Sequence, residues 1–330
     1  MTKYHVYGVG NALVDIEFDI SNEKLQELSV DKRLMTLIEL DRHHDLLSQL
    51  DGFEGKKCSG GSAANTIIGA AQLGASAFYS CKVANDETGT FYMGDLEASG
   101  VDSNLNMDNR EDGVTGKCLV LITPDAERSM NTYLGITQKI SERELDAEAI
   151  ANAEYVYIEG YLVPETNARA AAVKAREIAQ DAGAKTALTL SDPNMVEYFR
   201  DGLLEIAGDR LDLCFCNEAE AKLMFKADDL ASAVDGMKTI ARQFSITLGS
   251  EGALLYDGVE TLTVPATKVD VVDTNGAGDI YAGSFLYGLT HGMSFAEAGQ
   301  LACASASRLV TQHGARLTRE QTQEVLRSMS

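Results

Sequence analysis

The chain has 330 residues, 45% of them hydrophobic, and carries 50 acidic against 28 basic side chains for a formal charge of −22. That length can bury a large core, as one big domain or as a domain with a small appendage. The charge, unbroken by any Lys/Arg-rich patch, excludes the basic face that nucleic acid or an anionic membrane requires. A small anionic ligand stays compatible, provided backbone amides and a divalent cation bind it. There is no low-complexity tract, no Pro/Ser-rich linker and no repeat of solenoid period, so the chain reads as compact. The six cysteines form no C-x-x-C pair and are expected to be reduced and mostly buried. MTKYHVYGVG lacks an apolar signal core, and no stretch reaches the ~18 apolar residues of a membrane span. A cytoplasmic location is expected.

In chain order, 4–9 is a β-rich run ending in glycine and predicts a first strand. Buried-strand patterns follow at 77–83, 155–158, 186–190, 211–215, 245–247 and 253–256. Helical spacing appears at 63–73, stopped by Gly74, at 167–181, stopped by Gly183, and at 231–244. Strands alternating with helices predict an α/β fold with a mainly parallel sheet covered on both faces. Segments of about 12–40 and 113–135 break the rhythm with β patterns that lack helices between them. They predict a small sheet standing off the main domain, suited to a lid.

The commonest nucleotide and metal motifs fail. Gly116-Lys117 is followed by Cys118, not Ser or Thr, and Leu13 stands where a dinucleotide fingerprint needs its third glycine. No H-E-x-x-H occurs, and His43 and His44 are adjacent. Four other stretches carry chemistry. Gly276-Ala277-Gly278-Asp279 opens a helix, where outward amides and the positive dipole end favour anionic charge. Asp279 there is either a cap or a catalytic group held ionised beside those amides. Gly60-Gly61-Ser62 precedes the helix carrying Asn65; it is a tight turn with Ser62 as N-cap, or a place where a ligand approaches the backbone. Asn11 and Asp15 follow the first strand, either as an Asx turn or as a grip on vicinal hydroxyls. Asn217-Glu-Ala-Glu220 and Thr247-Leu-Gly249-Ser-Glu-Gly252 each open at a strand end. The first suits hydrated magnesium or a plain solvated helix start, and the second suits a nucleotide.

GGSAAN, N-x-x-E, T-x-G-x-x-G and DTNGAGD occur together, in this order and over essentially the whole chain. In this the sequence resembles the ribokinase-like (PfkB) kinases of sugars and nucleosides. Within that family it is most similar to the adenosine kinases. GNALVD resembles their GN-x-x-x-D, GGS with Asn65 their GGS-x-x-N, Asp273-Thr-Asn-Gly their DTNG, and YIEGYL their YI-x-G-[FY]. The resemblance implies one ribokinase-like α/β domain over 1–330, with a β lid, that transfers phosphate from ATP to a primary alcohol. Adenosine is the acceptor it favours; ribose, fructose, inosine and guanosine are the alternatives. It implies Asp279 as base, with Gly276, Ala277 and Gly278 as the anion hole. Asn11, Asp15, Gly60, Gly61 and Asn65 would hold the ribose, with Asn275 on the substrate side. Asn217 and Glu220 would position hydrated magnesium, and Thr247, Gly249 and Gly252 would hold ATP. Arg128, on the lid, would neutralise phosphates. Asp273 and the turn at His313 and Gly314 resemble parts that bind a monovalent cation such as potassium, although His313 stands where ribokinases often have Lys. Met35, Leu37 and Tyr161 are candidates for the base pocket, or plain lid and core packing. Partners beyond small molecules are not implied, and a monomer or homodimer is expected.

Overall fold

A computed structural model describes residues 3–32, 34–125 and 127–329; Arg33 and Ala126, inside the two predicted lid segments, lie outside it. Among the described residues fourteen strands occur, in chain order: β1 Tyr4–Val9, β2 Leu13–Asp19, β3 Met35–Leu37, β4 Lys56–Gly60, β5 Ala77–Ser80, β6 Val101–Ser103 and β7 Gly116–Ile122. Then come β8 Arg128–Tyr133, β9 Ala153–Glu159, β10 Lys185–Thr189, β11 Leu211–Asn217, β12 Ala241–Thr247, β13 Ala253–Tyr256 and β14 Thr261–Val264. Nine of them form one sheet in the order β14-β13-β12-β11-β10-β9-β1-β5-β6, parallel from β12 to β6 and antiparallel at β13 and β14. The central strands are apolar almost throughout because helices cover both faces. The expected α/β class and mainly parallel sheet are therefore present.

From β1 the chain builds β5 and β6 on one side, then returns to build β9 to β12 on the other. The order reverses between β1 and β9. Ligand crevices in such sheets open at the carboxyl ends of the strands flanking that reversal. Here those ends are Gly10-Asn11 and Glu159-Gly160.

The remaining strands form a second sheet in the order β3-β8-β7-β2-β4. Alternation along β2 sorts its side chains. Val14, Ile16 and Phe18 join Leu119 and Leu121 in a core cluster continuous with Ile67 and Phe285 under the main sheet. Asp15 and Glu17 point the other way, with Cys118 and Val120 of β7 beside them in register. β4 was not expected: Lys56–Gly60 read as the approach to a turn, and only pairing with β2 makes it a strand.

Two helices are packed nearly backbone to backbone. Ser62–Leu73 consists mainly of small and apolar residues and is buried along most of its length. It lies on Ala277–Thr290, where a Cβ at Gly283 would collide with the Thr66 carbonyl and one at Gly69 with Ile280. This close approach places the beginning of one helix over the beginning of the other. The helix expected over 231–244 ends earlier, at Ile240, and Ala241–Thr247 is β12. Phe244 and Ile246 fit either period, and parallel pairing with β11 decides in favour of strand.

Candidate active site

Gly276, with φ of +73°, is the N-cap of the helix Ala277–Thr290, and no side chain caps that end. A Cβ at Gly276 would strike the Ala315 backbone, so the turn needs glycine twice over. Asp279 is thus not the cap that short-range reasoning offered. Its carboxylate accepts from Ser62 Oγ at 2.7 Å and from Asn65 Nδ2 at 3.1 Å, both on the opposing helix. Ser62 is likewise not a cap: Gly61 holds that position with φ of +103°, and the hydroxyl turns to Asp279. The Ala277 amide folds back on the Thr274 carbonyl at 3.2 Å. The amides of Gly278 and Asp279 meet no acceptor among the described residues, and the space around Gly278 is open. A carboxylate and two outward amides therefore share one helix start, an arrangement that can take a proton and meet developing negative charge together.

Burial pushes the Asp279 carboxyl up to about 6, while the hydrogen bonds from Ser62 and Asn65 and the Arg316 charge pull it back down. Asp15, on β2, lies against Gly60, where a Cβ would overlap its carboxyl. Burial raises it to about 7. Asn11 lies against Gly61 in the same way, its carbonyl filling the space a Cβ would need. That carbonyl accepts from Tyr79 Oη at 2.9 Å, and the Asn11 amide donates to Glu159 at 2.9 Å. The Asn11 side chain spans Thr137 Oγ1 at 3.3 Å and the Tyr161 carbonyl at 3.4 Å. Asn11, Asp15, Gly60, Gly61, Asn65 and Asp279 thus form one contiguous cluster at the predicted crevice.

Asn275 donates its amide to Asp273 Oδ1 at 3.0 Å, and Gly314 donates to Asp273 Oδ2 at 3.0 Å. Arg128 of β8 faces that same Oδ2 at 2.8 Å and Glu17 at 3.0 Å. Arg128 therefore ties the second sheet to the turn before Asp279. A cation on Asp273 would sit against this guanidinium, so the residues present do not fit a potassium site there, and no step is derived through one.

On the neighbouring strand ends, Asn217 and Glu220 form a capping box. Both Glu220 oxygens accept from Asn217, at 3.0 Å from its amide and 2.6 Å from its Nδ2, and burial raises the acid to about 7. This geometry offers magnesium no free carboxylate for direct ligation, and no group of three or more His, Cys, Asp or Glu side chains among the described residues is placed to hold a metal. Thr247 is in register with Asn217 across β11 and β12. Gly249 and Gly252 both have positive φ; Gly249 has open space around it, and Gly252 packs against the Val264 carbonyl. Tyr161, half-buried, adjoins the first cluster through its carbonyl, which accepts from Asn11 Nδ2. Met35 and Leu37 stand exposed on the edge strand β3.

Two participants were missed. Glu159 accepts the Asn11 amide, and burial raises it to about 8. An acid closing an apolar strand just before Gly160 was a signal that could have been read. Arg316 bonds Asn65, Asp95 and Ser59. It lies in a loop, and nothing in the spacing of HGARL pointed to it.

The description "pfkB family carbohydrate kinase" matches residues 28–322. The chain belongs to the pfkB family of carbohydrate kinases. Like its family, it is a phosphotransferase acting on a hydroxyl of a sugar or nucleoside. An adenosine kinase of Saccharomyces cerevisiae is 30% identical over 305 residues, covering 86% of this chain and 88% of that one. The solved adenosine kinase of Sinorhizobium meliloti superposes with a TM-score of 0.88 at 34% identity, covering 99% of both chains. A probable sugar kinase protein of Rhizobium etli superposes with a TM-score of 0.89 at 33% identity, again over 99% of both. The fold is thus shared over nearly the whole chain with an adenosine kinase and with a probable sugar kinase. Among the described residues, no helix is long and apolar enough to cross a membrane.

Proposed function

We propose that this kinase transfers the γ-phosphoryl group of ATP to the 5′-hydroxyl of adenosine. The observation that carries the reading is Asp279, held by Ser62 and Asn65 beside the unpaired Gly278 and Asp279 amides and close to the Asp15–Gly60 contact. Phosphoryl transfer needs mainly positioning and charge stabilisation. A carboxylate of pKa about 6 does not ionise an alcohol beforehand. It orients the hydroxyl and accepts its proton as the bond to phosphorus forms. The helix-start amides face the charge that builds in the transition state. Asp15, Asn11 and the Gly60-Gly61 backbone hold the ribose hydroxyls, and Asn275 lines the substrate side. Thr247, Gly249 and Gly252 would hold ATP, and Asn217 and Glu220 would position its hydrated magnesium, which would supply charge neutralisation. The domain spans 1–330, and the second sheet acts as a lid, with Met35 and Leu37 turned to the base and Arg128 anchoring it at Asp273.

Adenosine is preferred over a free sugar because DTNG and GGS-x-x-N resemble the adenosine kinases. The Rhizobium etli likeness supports the second reading, a sugar kinase. Initial rates with magnesium-ATP and adenosine, inosine, guanosine, ribose and fructose separate the two. Adenosine is expected to give the highest kcat/KM, by about tenfold or more, the scale of one well-made pocket contact. A sugar that outperforms it overturns the choice of acceptor.

A further inference from the structure

Arg316 lies outside every motif above, yet its guanidinium reaches three elements that meet at the catalytic turn. Nε donates to Asn65 Oδ1 at 2.8 Å, Nη1 to Asp95 at 3.1 Å, and Nη2 to Ser59 Oγ at 3.0 Å. Asn65 belongs to the helix Ser62–Leu73, Asp95 to the helix Glu87–Ala98, and Ser59 to β4 of the second sheet. Ser59 is itself fixed, its amide donating to Asp95 at 3.0 Å and its hydroxyl to the same carboxylate. The fork is therefore held on three sides.

The consequence falls on Asn65. A side-chain amide presents an acceptor on one arm and a donor on the other. A guanidinium nitrogen on Oδ1 leaves only Nδ2 to face Asp279, where it donates at 3.1 Å. With the amide reversed, an oxygen would confront the carboxylate and an N–H would confront Arg316. Both contacts are repulsive.

We infer that Arg316 is a positioning residue for phosphoryl transfer, fixing the Asn65 amide so that it holds Asp279 as proton acceptor. The inference rests on the assignment of Asp279 as base. Arg316 also acts through its charge. The groups that face Asp279 are Asp15 from β2, Glu159 and Tyr157 from β9, Tyr161 just beyond β9, and Arg316 from the C-terminal loop. Of these, Arg316 favours ionised Asp279, whose own charge raises the pKa of Asp15, Glu159, Tyr157 and Tyr161.

The test is the pH profile of kcat with magnesium-ATP and adenosine for the wild type, R316Q and R316K, with D279N alongside and thermal melts to verify folding. R316Q is expected to lose kcat by about 100-fold, the scale of a misplaced catalytic group. Its acidic limb should move up by about one pH unit, as loss of a nearby opposite charge requires. R316K keeps the charge but not the planar fork, so its limb stays near the wild-type position while kcat still falls. In both variants kcat changes more than the adenosine KM. A folded R316Q with the wild-type limb and kcat, or one whose loss lies wholly in KM, overturns the inference. If R316Q does not fold, R316K decides: undiminished kcat overturns the positioning role. An inactive D279N beside an unaltered R316Q fails the Arg316 inference alone, whereas an active D279N fails the base assignment and the inference with it.

Discussion

The two helix starts at the carboxyl edge of the main sheet satisfy their polar side chains in opposite ways. At 217–220 the partners lie within one turn, and Asn217 and Glu220 close a reciprocal cap. At 276–279 the acidic side chain has no local partner: Asp279 finds its partners 217 and 214 residues away, on the helix Ser62–Leu73. A self-contained motif can be stable without a ligand and contributes mainly to holding the loop. A carboxylate assembled from distant elements, next to amides without acceptors, is poised for a reacting group. The same residue types, Asp, Asn and Glu at helix starts, therefore serve local support in one place and, in the proposed mechanism, chemistry in the other.

Substitutions should separate the two. The largest effect is expected at Asp279: Asp279→Asn should lower kcat by about 1000-fold, within the range for a lost general base. The affinity for magnesium-ATP, measured by equilibrium titration, should stay close to wild type. Near-normal turnover would remove Asp279 from the chemistry. Next comes Asp15→Ala, which, assayed above the raised value of about 7, takes a charged hydrogen-bonding group from the ribose side. KM for adenosine should rise by about 10- to 100-fold, matching the roughly 1.5–3 kcal/mol of a charge-assisted hydrogen bond, with a smaller change in kcat. An unchanged KM speaks against the ribose role.

Asn217→Ala should act mostly on stability. Loss of the cap costs about 1 kcal/mol, visible in chemical denaturation, with a few-fold rise in the KM for ATP. A kcat loss as deep as that of Asp279→Asn would erase the contrast between the two helix starts. The smallest effect concerns pH. Glu159 is raised to about 8 and Asp15 and Glu220 to about 7, all by burial. Each binds a proton when folded that it would release when unfolded, so their contribution is full below the ordinary carboxyl range and is lost as pH rises through 7 to 8. The melting temperature of the ligand-free chain should fall between pH 5 and 8. Glu159→Gln, which cannot titrate, should flatten that slope; an identical slope would mean that Glu159 is not the group responsible.

Much of this architecture was legible in advance, and the reasons are local. Gly74 and Gly183 stop helices because only a flexible backbone takes those positive φ values, or takes them cheaply. The strand runs at 155–158 and 186–190 are apolar because parallel strands are buried on both faces. The motif glycines were read as places for a ligand, and the chain itself closes on them: Asp15 on Gly60, Asn11 on Gly61 and Ala315 on Gly276. Where periodicity was ambiguous, at 241–244, a helix was expected and the strand expected at 245–247 began earlier instead. A short run such as Lys56–Gly60 carried no signal of its own, since half of it is polar and its pairing partner, Leu13–Asp19, lies far back in the chain.

The sequence by itself determined the sheet class, the glycine turns and the set of polar residues at the strand ends, because those depend on neighbours a few positions apart. Only the tertiary structure decided which of those residues act together. Whether Asp279 caps its own helix or bonds another depends on the helix Ser62–Leu73 lying close enough for Ser62 and Asn65 to reach it, and that distance is set by Gly69 and Gly283 at a packed interface. Arg316 and Glu159 entered for the same reason: hydrogen bonds fall off within a few ångströms in space, and sequence separation says nothing about that distance.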